Sequence, residues 1–169
     1  MPQIYSTKII ELNGHDKDFP GFKWLLKAVN FEDAMLKNVI SIEKDQAIAT
    51  DGHRLHIYSP FESYPTGTFK ILLRQRYFLI FAHTKDVKFP IYERVIPDYS
   101  KFKEFKMSPL IERNYLVMAK NMEDSGGLRF KYFNDLGNTD MAKMYIGSEE
   151  EPVIFEGFRK KALIMPMGI

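Results

Sequence analysis

The stretch over residues 38–59, NVISIEKDQAIATDGHRLHIYS, decides the fold class of this chain. Two runs rich in β-branched and apolar residues, 38–42 and 47–59, flank a polar segment, 43–46, whose length suits a hairpin turn. Inside the second run, Asp51-Gly52 has turn chemistry and predicts a turn or bulge that redirects the strand. The stretch therefore predicts antiparallel strands.

Short apolar or alternating segments on both sides of this stretch predict further strands. Residues 60–67 between them are expected to form a loop. The predicted strands cover residues 4–12, 68–82, 92–96, 101–107, 128–134, 142–147, 153–158 and 161–167.

Two segments have helical periodicity instead. The first covers residues 19–34 and has apolar side chains at i, i+3, i+4 and i+7, namely Phe22, Leu25, Leu26 and Val29. The second follows Ser108, a good N-cap, and Pro109, which suits the first helical position, and residues 126–127 (Gly-Gly) end it. Its apolar stripe consists of Ile111, Tyr115, Met118 and Met122.

The order strand, helix, strands thus occurs twice, from residue 4 and from residue 101. With 169 residues, 45% of them hydrophobic, the chain suits one domain with a substantial core. We expect an α+β fold over residues 1–169, with two helices packed on antiparallel β-sheets. The pseudo-repeat divides it into halves of about 1–99 and 100–169, although the halves share no obvious residue identity.

Composition excludes several classes of function. The chain has no cysteine, which rules out a disulfide framework, a thiolate nucleophile and Cys-ligated metals. The formal net charge of +2 neither indicates nor excludes a nucleic-acid partner. The first twenty residues lack the pattern of a secretory signal, and the longest apolar stretch, 77–82, is too short to span a membrane. We expect a cytoplasmic protein.

Catalysis and metal binding have little support in the sequence. Asp51, His53 and His56 suggest a hydrolase, but His53 and His56 are three residues apart and point to opposite faces of a strand. No hydrolase, zinc-protease or phosphate-loop motif accompanies them. We therefore predict a non-enzymatic protein with no catalytic residues, no metal and no cofactor.

Two features suggest binding. Near the chain end, Met165 and Met167 flank Pro166, which cannot pair in a strand ladder, and methionine surfaces adapt to varied apolar partners. This end is a plausible groove for a peptide, although a final core strand broken by proline would look the same. The predicted helices also carry basic residues away from their apolar stripes, at Lys23, Lys27, Arg113 and Lys120.

Three segments, in the correct order, resemble motifs of the bacterial β sliding clamp, the processivity subunit of the replicative DNA polymerase. Residues 49–55, ATDGHRL, match the family's ATDGHRLA until its last position, which is His56 here. Residues 89–97, FPIYERVIP, resemble its linker segment FPDYRRVLP, and residues 163–167, LIMPM, resemble the start of its closing VVMPMRL. Gly168-Ile169 replaces the Arg-Leu that ends that motif.

In that family these segments form one hydrophobic pocket for short linear peptides of polymerases, the clamp loader and repair proteins. Asn114 falls where the family has a small polar residue at the pocket rim. The resemblance implies a peptide-binding pocket made of Thr50, Gly52, His53, Arg54, Leu55, Pro90, Arg94, Val95, Asn114, Leu163, Met165, Pro166 and Met167.

The family also closes a ring around double-stranded DNA, with its helices toward the hole. By that analogy Lys23, Lys27, Arg113 and Lys120 would make sequence-independent phosphate contacts. A family chain carries three domains, whereas the resemblance implies that this chain joins the first half of a middle-type domain to the second half of a last-type domain. About six copies would then close a ring, and the small size suggests a phage or mobile-element protein. The alternative is a monomeric decoy or adaptor that binds clamp-binding peptides without encircling DNA.

Overall fold

The computed structural model describes residues 8–29, 38–121, 128–137 and 141–166. Its strands are β1 (Ile9–Asn13), β2 (Val39–Glu43), β3 (Gln46–Thr50), β4 (Arg54–Tyr58), β5 (Gly67–Arg74), β6 (Phe78–Thr84), β7 (Lys103–Lys106), β8 (Met141–Ile146), β9 (Val153–Gly157) and β10 (Lys160–Ile164). Its α-helices are α1 (Phe19–Leu25), which a 3-10 turn (Leu26–Ala28) continues, α2 (Ile111–Asn121) and α3 (Phe130–Asn134). A second 3-10 turn covers Tyr92–Val95.

All ten strands belong to one antiparallel sheet in the order β1-β6-β5-β2-β3-β4-β10-β9-β8-β7. The first six strands of the chain lie on one side of the β4–β10 junction and the last four on the other. The first strand of each group, β1 or β7, forms an outer edge. The α+β prediction is confirmed, with one continuous sheet in place of separate sheets. The assignment of residues 1–169 to a single domain of two half-repeats stays a prediction.

The two faces of the sheet carry different cores, because side chains alternate along each strand. On the face that bears the helices, Tyr58 and Phe155 pack with α1 residues such as Phe22 and Leu25. We call this the helix face. On the other face, which we call the linker face, strand residues pack with Phe89 and Tyr92 from the segment that joins β6 to β7.

Helix α1 is held tightly against β4. A Cβ added to Gly21 would lie 2.0 Å from Cζ of Tyr58, so only glycine allows this approach. Just before the helix, the buried Asp18 accepts hydrogen bonds from the hydroxyls of Tyr58 (2.7 Å) and Tyr64 (2.9 Å). It also accepts bonds from the backbone N–H groups of residues 61 (2.7 Å) and 62 (3.0 Å). Asp18 therefore fixes the loop between β4 and β5.

Most predicted strands are confirmed, as are the hairpin of β2 and β3 and the turn at Asp51-Gly52. The segment predicted as strand over residues 68–82 forms two strands, β5 and β6, and the predicted loop over residues 60–67 ends one residue early because Gly67 begins β5. Residues 4–7 of the first predicted strand lie outside the described residues. The predicted strand over residues 92–96 is wrong. Tyr92–Val95 is a 3-10 turn that crosses the linker face, with Tyr92 buried and residues 93–95 exposed. Flanking prolines at 90 and 97 limit ladder pairing there.

The predicted strand over residues 128–134 is also wrong. Phe130–Asn134 is helix α3, and the buried residues Tyr132, Phe133 and Leu136 follow a helical spacing. The described chain therefore has three α-helices rather than two. Helix α2 begins at Ile111, two residues after the predicted start, and Ser108 accepts a hydrogen bond from the N–H of Leu110 with its Oγ (3.1 Å).

The four residues of the predicted apolar stripe, Phe22, Leu25, Leu26 and Val29, are buried. The α-helix is shorter than predicted, because it ends at Leu25, a 3-10 turn follows over Leu26–Ala28, and Val29 is extended. Residues 30–34 of that prediction, Met122 and the Gly126-Gly127 stop lie outside the described residues. None of the helices in the described ranges is long and apolar enough to span a membrane.

Candidate functional site

Two of the three clamp-like segments lie side by side in the sheet. Leu55 of β4 is paired with Leu163 of β10, and the N–H of Met165 donates to the carbonyl of His53 (2.9 Å). The turn before β4 is fixed by Thr50, whose hydroxyl donates to the carbonyl of Arg54 (2.7 Å) and accepts from the N–H of Gly52 (3.1 Å). Gly52 has φ +86°, which favours glycine there.

The third segment, residues 89–97, packs on the paired strands β4 and β10 from the linker face. Phe89 and Tyr92 belong to one buried cluster with Leu55 and Leu163, which are only 3% and 2% exposed. Sheet pairing and packing thus bring together three segments that are far apart in sequence. Of the other residues predicted for this site, Gly52, His53, Pro90, Arg94, Val95 and Met165 are exposed, and Thr50 and Pro166 are half-buried. Met167 lies outside the described residues.

Arg54 lies in the same segment, but its side chain is on the helix face. Its Nε donates to Oδ2 of Asp51 (3.0 Å) and its Nη1 to Oδ2 of Asp135 (2.6 Å). Its Nη2 donates to the carbonyl of Lys27, and the guanidinium stacks on the ring of Tyr132 at 4.3 Å. The structure therefore separates Arg54 from Leu55, its neighbour in sequence.

Asn114 is placed in the first turn of α2, which packs on the helix-face core through Met118. Its Oδ1 accepts from the N–H of Ser108 (2.6 Å), and its Nδ2 donates to the carbonyl of the same residue (2.8 Å). Asn114 is buried, and both of its polar groups hold the segment that leads into α2. The structure does not place Asn114 in the buried cluster of Leu55 and Leu163.

The four basic residues predicted to face DNA all belong to helical elements of the helix face. Lys23 is half-buried in α1, and its Nζ donates to the carbonyl of Gln75 (3.2 Å). Lys27 is exposed on the 3-10 turn, and Arg113 and Lys120 are exposed on α2. Their role in DNA binding stays a prediction.

A basic cavity of about 580 Å³ lies on the helix face, and the sequence did not reveal it. Its cationic lining consists of Lys27, Arg54, Arg74, Arg129 and Lys131. Residues 128–134 were predicted as a strand, which hid the place of Arg129 and Lys131. Had the helical spacing of Tyr132, Phe133 and Leu136 been recognised, Lys131 would have been assigned to the outer side of a helix and Arg129 to the position just before it.

The histidines do not form a catalytic or metal site with Asp51. His56 is fully buried, and burial together with the charge of Arg54 lowers its pKa to about 3, so its ring is neutral. It stacks on Trp24 with ring centroids 4.2 Å apart, and its Nδ1 lies 3.3 Å from the carbonyl of that residue. Among the described residues, no group of three or more His, Cys, Asp or Glu could hold a metal ion.

The fold is that of bacterial DNA polymerase sliding clamps. The chain superposes on the DNA polymerase sliding clamp from Pseudomonas aeruginosa with a TM-score of 0.59 and 14% identity, covering 95% of this chain and 67% of the clamp. For DNA polymerase III beta chain from Streptococcus pneumoniae the TM-score is 0.58 at 14% identity, covering 100% of this chain and 67% of that one.

The Helicobacter pylori beta clamp bound to a DNA ligase peptide is similar as well, with a TM-score of 0.56 at 12% identity over 95% of this chain and 66% of that one. This chain thus spans about two thirds of the length of these clamps. No protein-family model matches it. No curated protein matches it either. The fold expected from the sequence resemblance is confirmed.

Proposed function

We propose that this chain is a clamp-like, non-enzymatic processivity subunit that docks short peptides of replication proteins and assembles around double-stranded DNA. The observation that carries the proposal is the convergence of the three clamp-like segments. This chain has a sliding-clamp fold, and in it residues 49–55 and 163–166 lie side by side and the linker packs on them. The H. pylori clamp, which has the same fold, was solved with a DNA ligase peptide.

The peptide would dock on the linker face next to the Leu55–Leu163 pair. Those two leucines are buried and form the floor rather than the contact surface. Contact falls to exposed apolar side chains such as Val95 (52% exposed) and Met165 (39% exposed), and a Met surface adapts to different apolar partners. Arg94 is exposed and offers a polar group that would orient the peptide.

The two sheet edges support self-association. In the described part of the chain, β1 pairs only with β6 and β7 pairs only with β8, so each presents an unpaired side. Open edges pair readily with other strands. Pairing β1 of one copy with β7 of the next is a heterologous contact, which closes a ring when the rotation per copy allows it. The helix face would then surround the DNA.

The oligomeric state and DNA retention test this assembly. Native mass spectrometry and light scattering are expected to give a closed oligomer, about six copies if each contributes one domain. The oligomer should stay on circular DNA and slide off linear DNA. A strict monomer at all concentrations that still binds clamp-binding peptides would refute the ring and favour the decoy or adaptor function.

Peptide docking is tested with a labelled peptide of the kind bound by the H. pylori clamp. Met165→Ala should weaken binding by about 10-fold, because truncating a contact residue at an interface centre costs about 1–2 kcal/mol. Leu55→Ala is a poorer variant, since a buried leucine also stabilises the core. Leu72→Ala, at an exposed site on β5, is the matched control and should leave binding unchanged. Equal binding by the wild type, Met165→Ala and Leu72→Ala would refute the proposed docking surface.

A further inference from the structure

The basic cavity on the helix face lies between four parts of the fold. The 3-10 turn after α1 contributes Lys27, the turn before β4 contributes His53, and the N-cap and first turn of α3 contribute Arg129 and Lys131. Arg74, at the end of β5, completes the cationic lining. The volume of about 580 Å³ lies within the range of about 300–1,000 Å³ usual for ligand sites.

The charge of this cavity is strongly positive. Five cations line it, whereas the carboxylates in the lining are Asp51 and Asp135, so the formal net charge is +3 with His53 neutral. Both carboxylates are ion-paired to the guanidinium of Arg54. The acidic groups are therefore held against the wall, while Lys27, Arg129 and Lys131 are exposed.

Arg54 also makes the cavity rigid. Its three nitrogen atoms bind the turn before β4 through Asp51, the C-terminal end of α3 through Asp135 and the 3-10 turn through the carbonyl of Lys27. One buried side chain thus connects the turn before β4 to the 3-10 turn that carries Lys27 and to α3, which carries Lys131 and follows Arg129. The spacing of these cations is set before any ligand arrives, which lowers the entropic cost of binding.

We infer that this cavity binds a backbone phosphate of DNA and fixes the position of the duplex on the helix face. This inference rests on the proposed function and deepens it, because it moves the main DNA contact from the two longer helices to the surroundings of Arg54. Guanidinium and ammonium groups around one cavity are the chemistry that binds phosphate. The lining offers a peptide little exposed apolar surface, since Leu26, Val29 and Tyr132 are all buried.

The first experiment compares duplex binding by the full chain and two charge-matched variants, using fluorescence anisotropy over a series of salt concentrations. Arg129→Gln with Lys131→Gln removes two exposed cations of the cavity. Lys88→Gln with Lys101→Gln removes two exposed cations of the linker on the other side of the sheet. The cavity variant should bind roughly 30-fold more weakly at about 0.15 M salt, with a salt slope reduced by about 2, because each lost phosphate contact removes about one released counterion. The linker variant should bind like the wild type.

The second experiment distinguishes the source of the phosphate. Pyrophosphate, a single-stranded oligonucleotide and the duplex are titrated in turn while the backbone amide signals of residues 53, 129 and 131 are followed by NMR. Shifts at these amides with the duplex, absent in the cavity variant, would support the inference.

If the cavity variant and the wild type bind the duplex equally and with the same salt slope, the cavity is not a phosphate site. The proposed function would still stand. If the amide signals shift with pyrophosphate but with neither the single-stranded oligonucleotide nor the duplex, DNA is not the source of the phosphate. That result would also contradict DNA encirclement. A preference for the single strand over the duplex would overturn the inference as stated.

Discussion

Replacing Arg54 with methionine tests whether this motif residue belongs to the helix face or to the peptide pocket. By family resemblance Arg54 is a pocket residue, whereas the structure gives its guanidinium three partners on the helix face. Methionine keeps most of the apolar length of the side chain and removes its charge. The variant therefore tests the ion pairs themselves.

The expected loss of stability follows from the burial of the partners. Removing one member of a buried ion pair costs about 3–5 kcal/mol. The side chain of Asp51 is 11% exposed and keeps its hydrogen bonds from two backbone N–H groups, and that of Asp135 is 22% exposed and gains access to water. Both facts favour the lower end of this range of costs. We therefore expect the free energy of unfolding to fall by about 3 kcal/mol, which corresponds to a decrease of roughly 6–12 °C in Tm for a chain of this size.

Trp24, the single tryptophan, reports unfolding in urea because it is buried and stacked on His56. Arg54→Met should unfold at a lower urea concentration but bind the labelled peptide within about twofold of wild type, once it is assayed where it is folded. Arg94→Met is the matched control, because Arg94 is exposed on the linker and its loss should change stability by less than about 0.5 kcal/mol. An Arg54 variant with wild-type stability and lost peptide binding would refute the assignment.

The same urea assay checks four further variants. His56 has a pKa of about 3 in the folded state and an ordinary pKa in the unfolded state, so only the unfolded state binds a proton as the pH falls from 8 to 5. The free energy of unfolding should therefore fall by about 2 kcal/mol over this range. His56→Phe should remove most of that fall. An unchanged pH dependence in His56→Phe would contradict this. Asp18→Ala leaves four donors without their carboxylate and should cost about 2–4 kcal/mol, more than Tyr58→Phe at about 1 kcal/mol. Equal losses would show that the loop is held by other contacts. Gly21→Ala should cost about 1–3 kcal/mol because its Cβ would overlap the Tyr58 ring, and a neutral result would mean that α1 can move away from β4.

The sequence predicted the strands well where alternation and turn residues agree. The hairpin of β2 and β3 and the turn at Asp51-Gly52 follow from local chemistry, which explains their success. Helix α3 was missed because five residues rich in aromatic side chains have high strand propensity. Its helical state depends on packing, since Tyr132, Phe133 and Leu136 are buried in the helix-face core. Such long-range burial cannot be read from a short window of sequence.

The candidate site was predictable as a set of segments but not as a set of side-chain directions. Resemblance to a family identifies residues 49–55 and 163–167, and the sheet places residues 49–55 and 163–166 together. The resemblance does not say on which face of the sheet each side chain lies, because that depends on strand register and on the elements that pack on each face. Asn114 illustrates the limit, since its polar groups bind Ser108 at the start of α2.

Strand alternation divides the motif over residues 49–55 between the two faces of the sheet, and each face has a proposed function of its own. Leu55 turns to the linker face and packs with Leu163, while Arg54 turns to the helix face and pairs with Asp51 and Asp135. A single β4 strand therefore joins the proposed peptide surface to the proposed phosphate cavity through the thickness of the sheet. Because the carbonyl of Arg54 accepts from Thr50 and the carbonyl of His53 accepts from Met165, both surfaces depend on the same turn. A change that loosens this turn should weaken peptide and DNA binding together, whereas Met165→Ala should affect peptide binding alone.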